Sequence, residues 1–259
     1  MDALNEQNKL LMAEIFIAIH SQGILEPDQN LQDTLTLYDV CCAFVEEKCK
    51  GRDESHGFHH MVTVTQNALT ILKELINNGD VHSFFDLNDV VAGAMLHDVA
   101  DYKYDENRTL EKCVISFMTT LSQKFDVNSS MWQLIDNLSY SKEKKGLGYD
   151  NLCKQKGLVF PLRLHTIRHI IADADRLEAI GEIGAKRCIE YGREANRGIS
   201  EEELKKKVMA HAKEKLFLLP FPVELGDNKQ YRFIKTEPGI RMAMKRHQDT
   251  VKYINAFCS

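Results

Sequence analysis

Two histidines and two aspartates, far apart along the chain, have the residue types that a metal-dependent reaction requires. They are His60, the adjacent pair His97-Asp98, and Asp175. The His-Asp pair ends the apolar run VVAGAML, where an imidazole and a carboxylate are costly to bury unless they are paired or bind a metal. Asp175 likewise follows an apolar run, IIA. Any one of them could be an ordinary helix-cap or surface residue, but the four in this order and context favour a metal site with mixed nitrogen and oxygen ligands.

Helical spacing of apolar residues predicts the elements that would position these ligands. A helix over 59–77 would carry the first histidine, a helix over 88–100 the His-Asp pair, and a helix over 164–191 the last aspartate. The helix over 88–100 is apolar on nearly every side, which is typical of a buried central helix. Neighbours on a helix point about 100° apart, so a long imidazole and a short carboxylate could approach one ion from two directions.

Helical spacing recurs along nearly the whole chain, and strand-type alternation is scarce. The expected fold is all-α, a single-domain helical bundle with an added N-terminal helical segment. The other predicted helices cover 3–20, 30–50, 110–124, 130–138, 201–218 and 240–257. The polar stretch 141–157 is predicted to be a long surface loop, and 217–239 to be mostly irregular with a short hairpin.

Composition excludes several classes of protein. The net charge of −5, with basic and acidic residues interspersed, does not indicate a nucleic-acid polymer as partner. The seven cysteines form no CxxC pair, so neither a thiolate zinc site nor a disulfide framework is indicated. The N-terminus does not resemble a signal peptide, and no apolar stretch reaches the ~18 residues of a membrane span. We therefore expect a soluble, cytoplasmic protein without a membrane partner.

The order of a histidine, a His-Asp pair and an aspartate resembles the HD superfamily of helical, metal-dependent phosphohydrolases. The surrounding segments resemble a bacterial-type subfamily of HD-domain nucleotide hydrolases over roughly residues 38–257. These segments are SHGFHHMVTVTQNA (55–68), AMLHDVADYKYD (94–105), IDNLSYSKE (135–143), DADRLEAIGEIGAKR (173–187), HAKEKL (211–216) and TEPGIRMAMKRH (236–247). Alignment with the subfamily implies His60, and not the neighbouring His59, as the ligand.

The same resemblance implies a domain organisation. Residues 1–35 have no counterpart in the subfamily, and we expect them to form a helical extension packed on the core. Residues 36–259 would form the HD domain, with an HD core over about 56–180 and C-terminal helices over 200–257. The N-terminal amphipathic helix could also form a homodimer contact, although covering its own core is the commoner use of an apolar stripe.

The implied chemistry is hydrolysis at phosphorus. Two imidazoles and two carboxylates suit one divalent ion of Mn, Fe, Co or Zn, and suit Mg less well. Such an ion would polarise a phosphoryl oxygen and lower the pKa of a bound water. We expect a phosphohydrolase that cleaves a phosphoester or phosphoanhydride of a small nucleotide, such as a nucleoside triphosphate or monophosphate.

Asp101 and Lys103 are the candidate catalytic residues. Asp101 follows Asp98 by three residues, which would place both on nearly the same helix face. Asp101 could orient the attacking water or move its proton, or it could be a surface carboxylate paired with Lys103. Lys103 could contact a substrate phosphate or be solvated.

Tyr140, Lys142 and Arg176 are the candidate substrate-binding residues. Lys142 belongs to a dense group of cations beside the predicted loop, which could grip a phosphate or form a solvated surface. Arg176 adjoins a proposed ligand but points about 100° away from it on a helix, so a salt bridge is equally consistent.

Two other functions remain as alternatives to the hydrolase, and one of them depends on the remaining histidines. His165 and His169 have the i, i+4 spacing that could bind a second metal, as a di-iron oxygenase of the HD fold would require. The resemblance implies one metal, which argues against that function. His56 is interpreted as a turn residue near the site. A non-catalytic nucleotide sensor or scaffold of the same fold is the other alternative.

Overall fold

The computed structural model describes residues 1–23, 30–53, 56–80, 87–136, 138–145, 153, 157, 161–225 and 229–259. It is 73% helical, which confirms the all-α prediction. The chain divides into two compact units, Met1–Ala174 and Asp175–Ser259. The predicted boundary between residues 35 and 36 is a different division and stays a prediction.

The helices follow one another in chain order. In the first unit they are α1 (Asp2–Ser21), α2 (Leu31–Lys48), α3 (Phe58–Asn77), α4 (Leu87–Leu96), α5 (Thr109–Phe125), α6 (Met131–Ile135) and α7 (Tyr140–Lys144). Helix α8 (Leu162–Glu178) begins in the first unit and ends in the second. The second unit continues with α9 (Gly181–Ala195), α10 (Glu201–His211) with a π-helical turn (Ala212–Leu216), β1 (Val223–Leu225), β2 (Lys229–Tyr231) and α11 (Glu237–Cys258).

The first unit is built around α4. Every residue of α4 is buried, as its apolar sequence predicts. Helices α2 and α3 both pack against it, and α1 packs on α3. Gly93 allows close contact with α8, because a Cβ atom at this position would clash with Ile171. The buried Asn8 amide donates to the Tyr38 hydroxyl and the Val62 carbonyl, so α1 is fixed by hydrogen bonds as well as by apolar contact.

The second unit is a helical group with one hairpin. Helices α9 and α10 pack against α11. The Thr250 hydroxyl of α11 accepts the Gly181 N–H at 2.7 Å, where the chain enters α9. Strands β1 and β2 pair antiparallel, with Val223 opposite Tyr231, which confirms the short hairpin expected in this segment.

Several element boundaries differ from the sequence prediction, and three of these differences lie near the candidate site residues. The predicted helix over 88–100 stops at Leu96, and residues 97–101, hereafter the His-Asp turn, are not helical. The predicted helix over 164–191 is broken between α8 and α9, where Gly181 has φ +94°, a left-handed conformation that favours glycine. The predicted surface loop over 141–157 begins with α7, and most of its remainder lies outside the described residues.

No helix in the described ranges is both long enough and apolar enough to cross a bilayer.

Candidate metal centre

A histidine of helix α3 and a histidine that directly follows helix α4 lie close together in the first unit. Helix α3 carries His60 in its first turn, with only 4% of the residue exposed. His97 follows directly after the buried helix α4. Their ring centroids are 5.1 Å apart, and each offers a ligand nitrogen within 4.8 Å of the other. Two metal–nitrogen bonds of about 2 Å span at most about 4 Å, so nitrogens within 4.8 Å of each other are close to the separation that one shared ion requires.

The structure distinguishes His60 from its neighbour. His59 is exposed, and its Nδ1 lies 3.0 Å from the Thr63 hydroxyl one turn along α3. Adjacent positions on a helix face different directions, so only one of these two histidines can face α4. The one brought to His97 is His60, as alignment with the subfamily implied.

The hydrogen bond made by His97 orients its ring for metal binding. Its Nδ1 lies 2.8 Å from the Ala94 carbonyl. A carbonyl only accepts, so Nδ1 carries the proton and donates it. In a neutral imidazole the lone pair is then on Nε2, the atom that a metal would use.

The His-Asp turn corrects one argument from the sequence. Asp98 and Asp101 were expected on one face of a helix, but the helix has already ended at Leu96. A turn brings them together instead, with the Asp101 N–H donating to the Asp98 carbonyl at 3.2 Å. His56, Asp98 and Asp101 each offer a ligand atom, and these atoms lie within 4.8 Å of one another. This is a second His/Asp group that could hold an ion, and His56 lies in a turn, as the sequence indicated, with its N–H donating to the Asp53 carbonyl at 3.2 Å.

The sequence argument missed two residues beside this turn, Arg52 between α2 and α3 and Tyr104 between α4 and α5. The Arg52 guanidinium donates to the Asp98 carbonyl at 3.1 Å and to the Val99 carbonyl at 2.5 Å. Its Cζ lies 4.4 Å from the centroid of the Tyr104 ring. The Tyr104 hydroxyl donates to Asp53 at 2.7 Å. The available signal was that Arg52 and Asp53 lie shortly before His56, His59 and His60.

Lys103 lies at the exposed edge of the same region. Its backbone N–H donates to the Asp101 carboxylate at 2.9 Å, and its Nζ lies 3.5 Å from His56 Nε2. The other ring nitrogen of His56 lies 3.2 Å from Asp53. Both predicted catalytic residues, Asp101 and Lys103, are therefore close to the His-Asp turn, although their roles stay predictions.

Asp175 is the first residue of the second unit, and it is half-buried on α8. The preceding part of α8 is fixed in the first unit, where the Asn67 amide of α3 donates to the Ala174 carbonyl at 3.2 Å. Its role as a metal ligand stays a prediction.

Arg176, predicted to contact substrate, is buried, with only 3% of the residue exposed. It donates to the Phe233 carbonyl, and its Cζ lies 6.0 Å from the Phe233 ring. These contacts place the guanidinium in the interior of the second unit, and its substrate role stays a prediction.

Helix α7 carries Tyr140 and Lys142, the other predicted substrate residues. Tyr140 is half-buried, whereas Lys142 is exposed and donates from Nζ to the Asp136 carbonyl at 3.2 Å. The sequence argument missed the ion pair that fixes this short helix. Glu143 lies 2.9 Å from Arg168 of α8, and each side chain is only 2% exposed.

His165 and His169 lie on α8 as the i, i+4 pair that the sequence indicates. Among the described residues, neither belongs to a group of three or more potential ligands. The His165/His169 pair, which the di-iron alternative required, therefore has no third ligand among the described residues.

Comparison with known proteins shows the fold. No family model matches the chain, and no curated protein matches it. A Lactobacillus plantarum protein solved by structural genomics is 21% identical, with a TM-score of 0.55 over 86% of this chain and 95% of its own. Bacillus subtilis YpgQ, solved in complex with ADP, is 19% identical, with a TM-score of 0.53 over 86% of this chain and 94% of its own.

Proposed function

We propose that this protein is an HD-type metal-dependent phosphohydrolase that acts on a small nucleotide. The observation that carries the proposal is the pair His60 and His97, brought together from helix α3 and the turn after helix α4, with Nε2 of His97 as its potential ligand atom. A histidine fixed through Nδ1 to a backbone carbonyl is the usual arrangement of an imidazole that binds metal through Nε2.

The proposed ligands are His60, His97, Asp98 and Asp175. The two histidines supply nitrogen ligands from the first unit, and Asp98 follows His97 directly in the turn. Asp175 comes one residue after Ala174, whose carbonyl is bound by the helix that also carries His60. One ion of the Mn, Fe, Co or Zn type suits this set. When bound, it supplies Lewis-acid activation of water and of a phosphoryl oxygen.

Nearby residues would handle protons and phosphate charge. Asp101 would orient the attacking water and accept its proton, since its carboxylate lies within 4.8 Å of a ligand atom of Asp98. Lys103, exposed beside Asp101, would pair with phosphate oxygens as negative charge grows on them. Asp101 belongs to the turn, and the Lys103 N–H donates to its carboxylate at 2.9 Å, so the two proposed residues are adjacent.

A nucleotide is the proposed substrate class. The fold-level likeness to YpgQ, a protein solved with ADP, supports a nucleotide without identifying the base. Lys142, exposed on α7, would contact phosphate, with Tyr140 beside it. Arg176 has the weakest support of the predicted substrate residues, because it is buried and donates to a backbone carbonyl.

The proposal is tested by measuring phosphate and pyrophosphate release from a panel of nucleoside mono-, di- and triphosphates with Mn²⁺, Co²⁺ or Mg²⁺. We expect release by the wild type with Mn²⁺ or Co²⁺ and its loss in His97→Ala. The matched control is His59→Ala, which removes an exposed histidine one residue from a proposed ligand. Equal release by His97→Ala and wild type would end the hydrolase proposal.

A further inference from the structure

We propose that Arg52 is a positioning residue that holds the His-Asp turn in the conformation needed for metal binding. The inference rests on the proposed function, because that turn carries two of the four proposed ligands. It concerns a residue outside the predicted site, in the segment between α2 and α3.

The contacts of Arg52 are made to the backbone of the turn. Its guanidinium donates to two successive carbonyls, those of Asp98 and Val99. Both carbonyls belong to the non-helical turn that follows Leu96, the last residue of α4, and the Asp98 carbonyl also accepts the Asp101 N–H. A cation at this end of a helix also interacts favourably with the helix dipole. Arg52 thus binds the backbone at the point where it leaves the helix.

The shape of the guanidinium explains why an arginine is needed at this position. Its planar group presents donors in a fixed fork, so one side chain can bind two neighbouring acceptors. A lysine ammonium would keep the charge, but it is a point charge on a flexible stem. Lysine at position 52 should therefore restore only part of the restraint.

Arg52 is itself held in place by its neighbours. It stacks on the Tyr104 ring, and the Tyr104 hydroxyl donates to Asp53, the residue after Arg52. Burial and the nearby Asp53 raise the pKa of Tyr104 to about 12, so the hydroxyl keeps its proton at neutral pH. Asp53 also contacts His56. Side chains between α2 and α3 and the segment after α4 form a closed set of contacts around the turn.

The consequence is a pre-formed ligand position. Asp98 is held through its own backbone carbonyl, which limits how its carboxylate can move relative to His97. Partners that orient metal ligands typically change metal affinity by about 10- to 100-fold when they are removed. Loss of Arg52 should therefore weaken metal binding without removing any ligand.

The experiment uses the full chain and two readouts. Mn²⁺ affinity is measured by isothermal titration calorimetry, and amide hydrogen exchange across residues 97–101 is measured after chelator treatment. Arg52→Met should weaken Mn²⁺ binding by about 10- to 100-fold and speed exchange in the turn. Arg52→Lys should lie between Arg52→Met and wild type, and Tyr104→Phe should have a smaller effect in the same direction. These two milder variants decide the matter if Arg52→Met does not fold.

The matched control is Arg163→Met. Arg163 also stabilises α4, through an ion pair with the buried Asp89 at 3.0 Å, but in the first turn of the helix. This variant should lower the thermal stability and leave both Mn²⁺ affinity and exchange in the turn at wild-type values.

Wild-type Mn²⁺ affinity and unchanged exchange in the Arg52 variants would overturn the inference. A loss of stability alone, as in Arg163→Met, would also overturn it. If the wild type bound no Mn²⁺, the proposed function would fail separately, and the exchange measurement would still decide whether Arg52 holds the turn.

Discussion

The His-Asp turn and helix α7 are fixed in different ways. The turn is held by several contacts, which include two hydrogen bonds from Arg52, stacking on Tyr104 and the hydrogen bond to Asp53. Helix α7 is five residues long and is fixed to α8 by the buried ion pair Glu143–Arg168. Because several contacts hold the turn, removal of one of them should destabilise it only in part. A buried ion pair should contribute more by itself, because removal of one buried charge leaves the other in an environment of low polarity.

The largest effect is expected at the α7 anchor. Arg168→Met would leave the Glu143 carboxylate buried without its cation, which typically costs about 3–5 kcal/mol. The free energy of unfolding, measured by urea denaturation, should fall by that amount. The double variant Arg168→Met/Glu143→Leu should recover much of the loss, because it removes the buried charge.

A matched comparison uses an exposed pair. Lys206 and Glu202 form an i, i+4 ion pair whose side chains are 73% and 79% exposed. Lys206→Met should change the free energy of unfolding by less than about 1 kcal/mol. If Arg168→Met cost no more than Lys206→Met, the contrast between the two regions would be wrong.

A smaller effect on the free energy of unfolding is expected at Asp105, which lies four residues after the His-Asp turn. Its carboxylate accepts the Leu110 and Glu111 N–H groups at 2.8 and 2.7 Å, at the start of α5. Burial alone would raise the pKa of this carboxyl, but these hydrogen bonds outweigh burial, and the pKa is lowered. Asp105→Asn should cost about 1 kcal/mol at neutral pH.

The pH dependence of that cost has a definite sign. A carboxyl with a lowered pKa stabilises the folded state above its unfolded-state pKa and loses this effect as the pH falls through its folded-state pKa. The difference in unfolding free energy between wild type and Asp105→Asn should therefore shrink as the solution is acidified. Urea denaturation at a series of pH values tests this, and a difference that grew in acid would contradict it.

The smallest effect is expected for Lys142 of α7. If it contacts a substrate phosphate, Lys142→Ala removes binding that the ground state and transition state share, so KM rises and kcat is unchanged. A rise of about fivefold corresponds to about 1 kcal/mol, as for an exposed ionic contact. Lys206→Ala is the control. An unchanged KM would show that the exposed cation on α7 does not bind the substrate.

Much of the fold was predictable because apolar spacing reports the buried side of each helix. Helices α1, α2, α3 and α5 begin and end within about two residues of their predicted bounds. The end of α4 was not predictable in this way, since Val99 and Ala100 extend the helical spacing of apolar residues beyond Leu96. Hydrogen bonds from Arg52, which is distant in sequence, accompany the turn there.

The candidate site was predictable in its residue types and less so in its geometry. The burial of His60 and its approach to His97 agree with the predicted site. The network of Arg52, Asp53 and Tyr104 depends on backbone carbonyls and turn conformation, which residue types do not encode. The Glu143–Arg168 pair joins residues 25 positions apart, and no local pattern indicates it.

The most direct test of the account is the number of metal ions bound per chain, measured by inductively coupled plasma mass spectrometry after loading with Mn²⁺. The account predicts one ion in the wild type, one in His59→Ala and His165→Ala, and loss of that ion in His60→Ala and His97→Ala. Circular dichroism would verify that each variant is folded. A folded His97→Ala variant that kept its full metal content would contradict the central claim.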